Sequence, residues 1–104
     1  NNMAKNEIHK DDIGTKFLVT IYDGSSVVNV SGSSSKQIIF KKPAGTKLTK
    51  SAAFDSDGTD GKIYYAAVAG DLDETGTYEI QGKVIVTDGT FYTDIQTFKV
   101  HRNL

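Results

Sequence analysis

The stretch Asp55-Ser56-Asp57-Gly58-Thr59-Asp60-Gly61 is the one metal-like motif in this 104-residue chain. A calcium loop of the helix-loop-helix type wants oxygen ligands at positions 1, 3 and 5, Gly at 6 and Glu at 12. Here position 5 is Thr59, Gly58 comes two places early and position 12 is Ala66. The segment therefore reads as a hairpin loop rich in turn formers, with weak calcium affinity as the rival. His9 and His101 are the only histidines. They meet only if the first and last strands lie side by side, and two imidazoles without a third ligand make a poor zinc site. No Cys exists and no Ser sits in a Gly-x-Ser-x-Gly turn, which leaves no activated nucleophile. Asp71 and Asp73 fall in a loop, where turn and capping roles suit them better than acid–base work. Gly76-Thr77-Tyr78 precedes no helix that would present its positive end to a phosphate. The expectation is a non-enzyme with no catalytic, cofactor-binding or metal-binding residues.

What remains is surface. Phe91 and Tyr92 follow a hairpin tip, and at least one of Tyr64 and Tyr65 must face outward. These four are the candidate surface contacts, since exposed aromatics stack on sugar rings or anchor protein interfaces. The plainer reading is that one of each adjacent pair enters the core while its neighbour shields the sheet. Val27 to Val30 has no Lys or Pro within it, and reads as a short edge strand open to pairing by a partner.

Composition agrees with a binding or structural module. The chain is long enough for one core and too short for two. Twelve basic and thirteen acidic residues give a net charge of −1, and no block of them makes the basic stripe that nucleic-acid binding needs. No apolar run approaches the roughly 20 residues needed to cross a bilayer as a helix. The amino terminus lacks an apolar signal region, so secretion by a signal peptide is not expected. Residues 1–7 read as disordered or left over from cloning, with Met3 as a candidate native start, and residues 8–104 as a single domain.

Ten Gly and one Pro punctuate stretches rich in Thr, Val, Ile, Tyr and Phe, the pattern of strands broken by turns. Thr15 to Tyr22 alternates, with Phe17, Val19 and Ile21 on one face. Lys36 to Lys42 reads as a central strand. Leu48, Ala52 and Phe54 alternate with polar or small residues, although Lys50 breaks the apolar set. In Lys62 to Val68 both faces are apolar, so either Ile63 and Tyr65, or Tyr64 and Val68, face inward. Tyr78, Ile80, Gly82, Val84 and Val86 share a face. After the Asp88-Gly89 turn, the apolar phase of Phe91 to Val100 slips by one residue, which predicts a β-bulge. The sum is an all-β, immunoglobulin-like antiparallel sandwich of seven to eight strands. Leu72, Gly76 and Tyr78 are its structural corner: Tyr78 should be buried, its hydroxyl bonded to backbone between Gly70 and Thr75.

Several stretches also resemble a family of phage tail and baseplate proteins. They are Ile8-His9-Lys10-Asp11-Asp12-Ile13-Gly14-Thr15, Lys36 to Thr46, Asp57-Gly58-Thr59-Asp60-Gly61-Lys62-Ile63 and Ala69 to Gly82, closed by Tyr92-Thr93-Asp94 and Phe98-Lys99-Val100. The chain is similar to the amino-terminal immunoglobulin-like domain of the baseplate upper protein, from about Ile8 to Leu104. The resemblance implies a virion component, made in the host cytoplasm, that contacts other tail or baseplate proteins and uses no cofactor, nucleic acid or membrane insertion. Such proteins continue into trimerising segments, whereas this sequence stops at Leu104, so the expectation is a module that decorates the tail, an adaptor, or a domain cut from a longer product. A carbohydrate- or host-surface-binding module is the alternative.

Overall fold

A computed structural model describes residues 7–104. Apart from Glu7, the segment expected to be disordered or cloning-derived lies outside the described residues. The elements are β1 (Ile8–His9), β2 (Lys16–Thr20), β3 (Tyr22–Asp23), β4 (Ser26–Val27), β5 (Ser35–Lys41), β6 (Lys47–Ser51), β7 (Ala53–Phe54), β8 (Lys62–Ala66), β9 (Gly76–Val86), β10 (Gly89–Tyr92) and β11 (Gln96–His101). The protein is all-β, and no helix occurs among the described residues.

One sheet has the order β1-β11-β9-β5-β6, with β10 also on β9; a second has the order β2-β8-β7; β3 and β4 form a separate hairpin. Pairing is antiparallel except between β1 and β11, which run parallel with Ile8 opposite Val100 and His9 opposite His101. That pair corrects the purely antiparallel expectation: the chain's first strand lies beside its last and points the same way.

Alternation decides what each sheet buries. Phe40 of β5 lies opposite Ile80 of β9 and Leu48 of β6, and Tyr78 lies opposite Phe98 of β11. All of these face the core. Phe17 of β2 enters the same core from the second sheet, with ring centroids 5.0 Å from Phe40 and 4.8 Å from Phe98. The β9 backbone and the Val19 side chain approach closely at Gly82, where a Cβ would lie 2.8 Å from Val19 Cγ2. Only glycine leaves room for that contact.

The predicted slip after the Asp88-Gly89 turn is visible in the register. β10 pairs Tyr92 with Lys83, whereas β11 pairs Gln96 with Ile80. Four residues on one strand thus span three on the other, which is a bulge centred on Thr93 to Ile95. The Gly82 N–H donates to Thr93 Oγ1 at 2.8 Å and Gln81 Nε2 to the Thr93 carbonyl at 2.9 Å, repairing the broken ladder. The bulge also turns Ile95 outward, 59% exposed, although its sequence phase matched that of the core-packed Phe91.

Two other expectations change. Only Val27 of the Val27–Val30 segment lies in a strand, because the Val28 and Val30 N–H groups bond instead to the carbonyls of Ile21 and Gly58. Val30 is fully buried, so this segment is no open edge. The Leu48-to-Phe54 alternation runs unbroken, yet the chain changes sheet at Ala52, whose N–H bonds to the Lys36 carbonyl between β6 and β7.

Candidate functional site

The largest concentration of interacting polar side chains surrounds the loop from Val68 to Thr75. Asp71 is buried there, and one carboxylate oxygen accepts both the Tyr65 hydroxyl and the Val68 N–H, the latter at 3.0 Å. Lys50 Nζ reaches the other oxygen at 3.1 Å. Lys50 is the residue that broke the apolar pattern of its strand. It points inward with Leu48 because alternation requires it, and its charge is neutralised by Asp71 rather than by solvent. A second lysine does the same from the turn after β5: Lys42, largely buried, donates to Asp73 Oδ1 at 2.7 Å and to the Gly70 carbonyl at 3.2 Å.

Tyr78 completes the loop from below. It is fully buried, and its hydroxyl donates to the Glu74 carbonyl at 2.8 Å while accepting the Glu74 N–H at 3.1 Å. Leu72 is also buried, and its carbonyl accepts the Asp11 N–H at 2.8 Å, tying the loop to the turn after β1. Gly76 takes a φ of 122° and would place a Cβ 3.1 Å from Pro43 Cγ, so the corner needs glycine on both counts.

Charge is stabilised throughout this cluster. Its hydrogen bond to Asp73 raises the Lys42 pKa and the bond to Asp71 raises that of Lys50. The bond from Lys42 lowers the Asp73 pKa. Burial pushes Asp71 upward, but the bonds from Tyr65, the Val68 N–H and Lys50 together outweigh it and leave the carboxyl below its usual value. Tyr65 is raised by burial and then by its bond to Asp71. A protonated lysine held on a carboxylate is no nucleophile, and an ionised Asp71 with its lone pairs engaged is no free base. These residues build the loop.

The surface aromatics named from the sequence separate. Tyr65 packs on the core with Ile63, while Tyr64 lies on the outer face of β8 with the Lys16 ammonium 4.5 Å from its ring centre. Phe91 packs on the core; Tyr92 is 52% exposed. Tyr64, Tyr65, Phe91 and Tyr92 are therefore not one platform. Phe91 and Tyr92 border different depressions, and neither Tyr64 nor Tyr65 borders either of them.

Tyr92 instead joins Tyr22 and Leu18, 50% and 47% exposed, around a groove that runs along β2 and is walled by Thr93, Asp94 and Gln96. β2 is the outer strand of its sheet. Its ladder to β8 is flanked by the bonds Ala67 N–H to Thr15 O and Ile21 N–H to Gly61 O. Antiparallel pairing then turns the N–H and C=O groups of Leu18 and Thr20 away from β8, into the groove. Across it, the outer side of β10 has no strand partner among the described residues. Side-chain alternation alone does not reveal this edge, because Leu18 is a lone apolar residue between Lys16 and Thr20 on the outward face of its strand.

The remaining candidates resolve locally. In the Asp55–Gly61 loop, Asp55 bonds Lys16 at 2.7 Å, Asp57 accepts the Thr59 N–H and hydroxyl, and Asp60 accepts the Lys62 N–H. His9 and His101 do meet, with ring centroids 5.8 Å apart, and His9 Nε2 lies 3.1 Å from Glu7 Oε1. Among the described residues no three His, Asp or Glu side chains are placed to hold a metal ion.

No protein-family model matches the chain, and no curated protein matches it either.

Proposed function

We propose that this protein is a non-enzymatic adaptor or structural domain of a phage tail or baseplate, working through protein–protein contacts. The observation that carries the binding reading is the edge of β2, which has no strand partner among the described residues, with Leu18 and Thr20 backbone groups facing a groove flanked by Tyr22 and Tyr92. An extended segment of another virion protein would add there as a strand, its backbone bonding to β2 and its apolar side chains meeting the two tyrosines. The phage assignment itself rests on the ordered sequence resemblance.

The finer fold assignment, an immunoglobulin-like sandwich of seven to eight principal strands, belongs to this proposal. It is supported by a β2-β8-β7 sheet sharing one core with the β11-β9-β5-β6 order and by the buried Tyr78 bonded to Glu74 at the start of β9.

The test is capture of the partner from purified virions with the wild-type protein as bait, repeated with Leu18→Pro. Of the backbone hydrogen-bonding groups, proline removes only an outward N–H, so the β8 ladder keeps its bonds while strand addition is blocked; Leu18→Ala controls for the lost side chain. Loss of capture at an unchanged melting temperature supports the reading. Capture unaffected by the substitution rejects the β2 edge, and absence of the protein from purified particles rejects the virion role.

The rival is a carbohydrate- or host-surface-binding module. Tyr22 and Tyr92 beside Thr93, Asp94 and Gln96 mix aromatic faces with hydrogen-bonding groups, a lining suited to sugars. Glycan-array binding that disappears in Tyr92→Ala would favour this second reading.

A further inference from the structure

The near-neutral total charge conceals two surfaces of opposite sign. On the outer face of the larger sheet, Lys41 stands opposite Lys47 on β6 and Glu79 on β9, Lys83 stands opposite Tyr92, and Lys99 opposite Thr77. Four lysines share this face with one carboxylate. None of the four has a salt-bridge partner among the described residues, whereas Lys16, Lys42 and Lys50 each hold an aspartate. Like charges placed directly across a ladder are unfavourable; Glu79 offsets Lys41 from the β9 side, and a second anion would relieve the remaining positive charge of Lys47. Between them and Glu79 lies a shallow hollow of about 160 Å³, lined also by Ile39 and the outward-turned Ile95.

The acidic counterpart lies around a different depression. Asp23 on the β3–β4 hairpin and Asp88 on the β9–β10 turn border a depression of about 510 Å³ with Val27 and Phe91. Neither aspartate has a salt-bridge partner among the described residues.

We propose that the lysine face of the larger sheet receives the aspartate-bearing end of a second copy of this chain. The occupant is set by charge complementarity among the described residues: four lysines against one carboxylate on one surface, the unpaired Asp23 and Asp88 on the other, and apolar side chains bordering each. Because the two surfaces differ, the contact is head to tail and propagates from copy to copy. Its attraction is electrostatic and weakens with salt. This inference is independent of the phage reading; it shares with the β2 groove only Tyr92, whose ring centre lies 5.6 Å from Lys83 Nζ.

Sedimentation velocity on the full chain tests it. The protein should self-associate as concentration rises at about 0.01 M salt and dissociate near 1 M. Lys41→Glu with Lys47→Glu should weaken association at least about tenfold, as should Asp23→Lys with Asp88→Lys. The two charge-reversed proteins, mixed, should associate with each other although neither does so alone. All four positions are exposed, so melting temperatures verify that each variant folds. A wild-type protein that stays monomeric at low salt overturns the proposal, as does association that both reversals leave unchanged. Failure of the mixed pair to associate overturns the assignment of the aspartate end as the second surface.

Discussion

Lys50 Nζ lies 3.1 Å from Asp71 Oδ1, joining a strand of the larger sheet to the loop that enters its longest strand. The lysine occupies an inward position of β6, where an apolar residue would be ordinary. Asp71 is only 6% exposed, so little water can replace Lys50, Tyr65 and the Val68 N–H. The pair therefore links sheet and corner through a charge that is satisfied only when both are in place.

Asp71→Ala should destabilise the protein by about 2–4 kcal/mol, since it strands a lysine, a tyrosine hydroxyl and a backbone N–H together. Lys50→Met keeps the stem and should cost less, about 1–2 kcal/mol. Chemical denaturation of both variants checks the order; equal, small losses would mean that the corner does not depend on the charge.

Tyr78→Phe removes one hydroxyl that serves both the carbonyl and the N–H of Glu74. The expected loss is about 1 kcal/mol, the usual worth of such a bond in a buried setting. A melting curve indistinguishable from wild type would show the hydroxyl to be dispensable.

Stability should be flat through neutral pH and fall at both ends. Asp71 and Asp73 are held below the ordinary aspartate value of 3.8, so their stabilisation is present above that value and lost as pH falls through their depressed pKa values. Lys42 and Lys50 are held above 10.5, so theirs is complete below that value and lost as pH rises through their raised ones. Buried Tyr65 and Tyr78, raised from 10.0, add to the alkaline loss. Urea denaturation across pH should show the plateau, and Asp71→Asn should flatten its acid limb.

Gly82→Ala should cost about 1–3 kcal/mol by driving a methyl group into Val19 between the sheets. Gly32→Ala is the control, because a Cβ there meets nothing within 4 Å. Equal thermal stability of the two variants would argue against the close approach at Gly82.

Local pattern already held much of this. Phe17, Val19 and Ile21 face one way because a strand alternates, and the one-residue slip before Phe98 announced the bulge. The Leu72 to Tyr78 spacing pointed to a buried tyrosine with its hydroxyl on the preceding loop, and Tyr78 bonds Glu74 there. The ambiguity between Tyr64 and Tyr65 was real, since both faces of that strand are apolar; the neighbouring sheet settled it by taking Ile63 and Tyr65.

An all-β chain, its turns and most of its inward-facing residues follow from side-chain alternation and from the conformations open to Gly, Asp and Pro. Which strands meet was decided only in three dimensions. Strand partners come from distant parts of the chain, so no local pattern reveals that β1 runs parallel to β11 or that the chain changes sheet at Ala52. The same holds for Lys42 and Lys50. In sequence they are two more lysines among twelve basic residues; only the fold, by placing Asp73 and Asp71 within reach, buries Lys42 and half-buries Lys50.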